Sequence, residues 1–173
     1  MYTLRVPHEI WMTQIVMLGN SGTGKTAFMI TATGQRMPYN VFRSTHVETF
    51  HMGSAVFTVV PGNTSCATLR QACEGADGII VLFTQGKSCQ ARTWLKRVES
   101  AACNPLHVPI IVCAHGRQGG CQLSEEDIRL LRRYPTAEYA YTSSAWPEGI
   151  KDCANRVVYR VRRAPTTPIR FEQ

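Results

Sequence analysis

Eight consecutive residues limit this chain more than any other feature. Gly19-Asn20-Ser21-Gly22-Thr23-Gly24-Lys25-Thr26 satisfies G-x-x-x-x-G-K-[ST] at every fixed position. The apolar run Met12 to Leu18 (MTQIVML) ends at Gly19, and Thr26 to Thr33 reads as the helix that follows. A strand, a glycine-rich turn and a helix in that order let backbone N–H groups wrap phosphate oxygens at a helix N-terminus. Lys25 would then reach the β- and γ-phosphates and the Thr26 hydroxyl would ligate Mg²⁺. Asn20, Ser21, Gly22, Thr23, Gly24 and Ala27 complete the expected phosphate cradle.

The rest of the chain alternates strand and helix. Val47 to Met52 and Ala55 to Val60 read as strands joined by a tight Gly53-Ser54 turn. Ile79 to Phe83 (IIVLF) and Ile110 to Ala114 (IIVCA) are unbroken apolar runs of strand length, expected where helices cover both faces of a sheet. Gln90 to Cys103 places Trp94, Leu95, Val98 and Ala102 at helical spacing. Ser124 reads as the cap of a helix through Ile128, Leu130 and Leu131, and a last helix starts at Pro147. The expected fold class is α/β: a single three-layer domain over 12–163, with a six-stranded, mostly parallel sheet and helices on both faces. An N-terminal extension (1–11) and a short tail (164–173) flank it.

With 173 residues and 44% apolar composition, the chain can bury a core without staples. Its seven cysteines are odd in number and contain no C-x-x-C pair, which disfavours a disulfide framework or a zinc site. No run approaches a membrane span, and neither a secretory signal nor a common lipidation motif is expected. The net charge of +7 suits nucleic acid, an anionic surface or an acidic protein. Its densest basic stretch, Arg156, Arg160, Arg162 and Arg163, reads as a solvated helix face without an accompanying nucleic-acid motif.

Size, strand pattern and loop together resemble the Ras-like small GTPases, from Met12 to about Arg163. The resemblance implies a Ras-like G domain binding GTP or GDP with Mg²⁺. It also implies a first-switch hydroxyl on the metal, for which Ser44 aligns best and Thr45 is the fallback. In the second switch, Val59-Val60-Pro61-Gly62-Asn63 stands where the family has D-x-x-G-Q. Gly62 keeps the γ-phosphate contact, Val59 replaces the acid that supports Mg²⁺, and Asn63 replaces the Gln that positions water. Weak metal binding and slow or absent hydrolysis are expected, with no confident catalytic residue.

The base-reading N-K-x-D has become Ala114-His115-Gly116-Arg117, without the carboxylate that distinguishes guanine from adenine. The remaining base-binding expectation falls on His115, Gly116, Ser144, Ala145 and Trp146. These departures, with Gly75-Ala76-Asp77-Gly78-Ile79-Ile80-Val81-Leu82-Phe83 and a Trp in the third helix, are similar to the Rab-like 5 branch. That branch implies a subunit of the intraflagellar transport B complex, seated on the coiled-coil intraflagellar transport proteins 74 and 81. It would work in the cytoplasm and the cilium or flagellum, without nucleic acid or a lipid anchor. Two other readings stay open: a nucleotide-free pseudo-GTPase adaptor, and an active P-loop NTPase or kinase.

Overall fold

The computed structural model describes residues 12–38, 44–101, 108–116 and 125–164, apart from the Asp127 side chain. The elements run β1 (Thr13–Leu18), α1 (Lys25–Ala32), β2 (Glu48–Met52), β3 (Ala55–Val59), α2 (Cys66–Cys73) and β4 (Gly78–Thr84). They continue with α3 (Ser88–Ala101), β5 (Ile110–Gly116), α4 (Glu125–Arg132), β6 (Ala137–Ser143) and α5 (Pro147–Arg163). Among the described residues, one six-stranded sheet holds the strands in the order β2-β3-β1-β4-β5-β6. Only the β2–β3 pairing is antiparallel. A two-residue turn can join only antiparallel strands, so the Gly53-Ser54 hairpin makes that exception, whereas the parallel pairs require crossovers.

Strand side chains alternate between faces, and the sheet therefore has two cores. Ile15 and Met17 of β1 pack with Phe28 and Met29 of α1 and with Ile150, Ala154 and Val157 of α5. Val16 and Leu18 face the other way, onto Leu69 of α2, Trp94 and Leu95 of α3, and Leu130 of α4. Helices thus cover both faces, as the apolar runs of β4 and β5 require. No helix among the described residues is long and apolar enough to cross a membrane.

Several boundaries differ from the sequence expectation. α1 includes Lys25, and α3 begins two residues before Gln90. β2 begins at Glu48, leaving Val47 outside and exposed, and Val60 follows the end of β3 while its N–H still donates to Met17 O at 3.0 Å. The helix α2 was not foreseen: of its eight residues only Leu69 and Cys73 are buried, which leaves almost no periodicity to read. Its start is nevertheless capped, the Thr68 N–H donating to Ser65 Oγ at 3.1 Å. The extension 1–11, the Ser124 cap, the end of α3 at Cys103 and the tail from 165 lie outside the described residues.

The basic stripe on α5 is tied to the sheet. Arg160 donates to Thr136 O at 2.9 Å and Ile110 O at 3.3 Å, and Arg156 bonds Glu138 at 2.9 Å. Arg162 donates to Ser54 Oγ, and the Arg163 guanidinium lies over Tyr159.

Candidate functional site

β1 is flanked by β3 on one side and β4 on the other, so the strand order reverses at its C-terminal end. Open α/β sheets bind ligands at such a point, and the glycine-rich loop emerges there. Gly22 and Gly24 hold φ of +82° and +88°, a left-handed backbone that residues with a Cβ rarely adopt, and Gly24 is the N-cap of α1. Thr23 closes the turn on itself: its N–H and hydroxyl donate to Asn20 O at 3.3 and 2.9 Å.

Lys25 is only 8% exposed, and its Nζ donates to Gly19 O at 2.8 Å and Asn20 O at 3.0 Å. Burial lowers its pKa to about 8, against the opposing pull of the Glu48 carboxylate. A buried ammonium held by neutral carbonyls gains from an incoming polyanion, which restores the charge balance lost on burial.

The Asn20 side chain engages α3. Its Oδ1 accepts the indole N–H of Trp94 at 2.7 Å. Trp94 is buried in the core beneath α3, and the Arg97 guanidinium lies 4.2 Å from its ring centroid. Arg97 in turn donates to Thr64 O at 2.7 Å. Asn20 therefore anchors the loop to α3, and Trp94, a core residue by its helical position, also braces the site.

The loop roofs a cavity of about 360 Å³, whose lining includes Ser21, Gly24, Lys25, Thr26, Ser44 and Gly62. Gly62 lies directly on the loop: a Cβ there would stand 2.1 Å from Ser21 N and 2.6 Å from Asn20 C. Only hydrogen fits at that approach. The Ser44 hydroxyl points back to His46 O at 2.8 Å, whereas Thr45 is exposed. Asn63 is also exposed. Val59, the final residue of β3, borders the cavity and carries no oxygen in its side chain.

Thr26 is engaged by a residue that the motifs did not single out. Its hydroxyl donates to Glu48 Oε2 at 2.5 Å. Glu48 opens β2 and pairs with Val59 across the hairpin. This pairing is implicit in the sequence: a two-residue turn at 53–54 sets Met52 opposite Ala55 and, four steps on, Glu48 opposite Val59.

His115, next to last in β5, lies against Gly24, its ring 3.5 Å from where a Gly24 Cβ would stand. His115 Nδ1 lies 3.0 Å from Thr142 Oγ1, the ring meets Phe28 edge-on, and burial lowers its pKa. Gly116 is covered by the Gln85 carboxamide. The Ser144 N–H donates to Gly116 O at 3.3 Å and the Ala145 N–H to Ser143 Oγ at 3.2 Å. A base read by these two amides must compete with those bonds. Trp146 is half exposed and lays its ring against Gly149, where a Cβ would stand 2.1 Å from Cε3. His115, Gly116, Ser144 and Ala145 thus adjoin one another across the ends of β5 and β6, while 117–120 lies outside the described residues.

Compared with models of known protein families and with curated proteins, the sequence gives no match.

Proposed function

We propose that this chain is a nucleotide-binding protein of the small-GTPase kind, holding GTP or GDP in the Gly19–Thr26 loop, with hydrolysis slow or absent. The observation that carries the reading is the cradle itself. A buried Lys25 is held by the loop's own carbonyls at the mouth of a cavity closed by Gly62. Ser21, Gly22, Thr23, Gly24, Lys25, Thr26, Ala27 and the main chain of Asn20 would bind phosphate, as in P-loop NTPases generally. Oxygen donors suit Mg²⁺, and Thr26 and Ser44 are the hydroxyls bordering the cavity that would hold it. Slow hydrolysis follows from the side chains after β3: Asn63 is exposed, and Pro61 stiffens the strap before Gly62.

Resemblance to the branch that includes intraflagellar transport protein 22 gives the cellular reading. On it, the chain is a subunit of the intraflagellar transport B complex, working in the cytoplasm and cilium and docking on the coiled coil of proteins 74 and 81. Bound nucleotide would engage Ser44 and Gly62 and so complete the docking surface. Lys25→Ala should weaken GTP binding and capture by the reconstituted coiled-coil pair together. Full capture of a variant that no longer binds nucleotide would refute this coupling. A second reading, the nucleotide-free adaptor, draws on the internal bonds of Ser144 and Ala145 and the close seat of Gly62. It requires wild-type protein to ignore nucleotide altogether.

A further inference from the structure

Magnesium in a phosphate-cradling loop takes a hydroxyl from the Ser/Thr that follows the lysine and leans on an acidic residue at the end of a neighbouring strand. Here that strand end carries Val59, which offers no oxygen. The position paired with it across the hairpin is Glu48, whose carboxylate already touches the Thr26 hydroxyl at 2.5 Å. We propose that Glu48 is the carboxylate of a Mg²⁺ site formed with Thr26 and the phosphates of a bound nucleoside triphosphate, the acid standing on β2 instead of β3. This rests on the nucleotide-binding reading above.

The donor set fits the ion. Mg²⁺ is hard, prefers oxygen and keeps several waters, and is ordinarily held by one or two carboxylates plus substrate phosphates. One carboxylate and one hydroxyl suffice, and no cluster of three or more His, Cys, Asp or Glu suited to a metal occurs among the described residues. The Thr26–Glu48 bond need not break. A hydroxyl can donate its proton to a carboxylate while its lone pair faces a cation, and Glu48 keeps a second oxygen for the ion or its water. The charge of Glu48 is also felt at Lys25, so the carboxylate stands close enough to act on the cradle.

The same charge opposes a bare triphosphate. Glu48 should therefore weaken nucleotide binding without the cation and strengthen it with the cation. The test is GTP affinity of the full chain in Mg²⁺ and in EDTA, for wild type, E48Q and E48Q/V59D. Wild type should bind GTP at least about tenfold tighter in Mg²⁺, the scale of a charge-assisted contact in a partly buried site. E48Q should lose most of that ratio while binding as well as wild type or better in EDTA, and V59D should restore it by returning the acid to β3. Mn²⁺ can replace Mg²⁺ so that electron paramagnetic resonance counts the bound ion directly; E48Q should hold less. An unchanged ratio in E48Q, or tighter Mg²⁺-supported binding, would overturn the proposal and mark Glu48 as a lock on Thr26. If wild type binds no nucleotide in either condition, the nucleotide reading falls and takes this site with it.

Discussion

Removing the bond between Trp94 Nε1 and Asn20 Oδ1 should loosen the loop in a measurable way. In Asn20→Ala the indole N–H of a side chain only 1% exposed loses its acceptor. An orphaned buried donor costs about 1–3 kcal/mol. Trp94→Phe removes the donor and leaves a void against Leu95 and its core neighbours, for about 2–3 kcal/mol. The double variant loses both partners, so no donor is stranded, and its cost should fall below the sum of the single costs by about 1 kcal/mol. For a chain of this size each kcal/mol moves Tm by about 2–4 °C. Urea or thermal unfolding of the four proteins gives the cycle directly. A coupling within about 0.3 kcal/mol of zero would mean that α3 does not anchor the loop. Both single variants should also release bound nucleotide faster, because the loop carbonyl of Asn20 helps hold Lys25.

Three further expectations follow from separate features. Gly62→Ala cannot keep its seat on the loop and should lower Tm by several degrees, the scale of about 1–3 kcal/mol for overpacking, and alter GTP affinity; a wild-type melting curve and affinity would contradict the geometry. GTP affinity should fall as pH rises through about 8, because a bound polyanion raises the Lys25 pKa and so favours protonated Lys25, while stability of the free protein rises with pH between about 8 and the ordinary 10.5 of Lys25; an affinity profile flat from pH 7.5 to 9.5 would refute this. Native alkylation followed by peptide mapping should label exposed Cys66 and Cys89 before buried Cys73 and Cys153, since burial pushes Cys73 up to about 11, and the Cys113 hydrogen bond together with burial pushes Cys153 up; labelling of Cys73 ahead of Cys66 would contradict the packing.

The sheet was legible because β4 and β5 are buried on both faces and write themselves as unbroken apolar runs, because the apolar end of β1 runs into the glycine-rich loop, and because Gly53-Ser54 fixes one hairpin. The loop was legible because its chemistry requires fixed residues at fixed spacing. Local patterns did not reveal α2, which buries too few side chains to leave a period. They also missed the long-range roles of Trp94 and Glu48. Nothing about an apolar helix position tells that an indole N–H will meet a loop 74 residues away. Glu48 could have been found by carrying the hairpin register through to Val59, a step that motif matching by itself does not take.

On the reading proposed, the Gly19–Thr26 cradle holds a nucleotide. The direct measurement is calorimetric titration of nucleotide-stripped protein with GTP, GDP and ATP, with and without Mg²⁺. Saturable GTP binding, tighter with Mg²⁺ and lost in Lys25→Ala, is the expected result. Absence of binding by all three nucleotides up to millimolar concentration would contradict it and leave the loop as architecture alone.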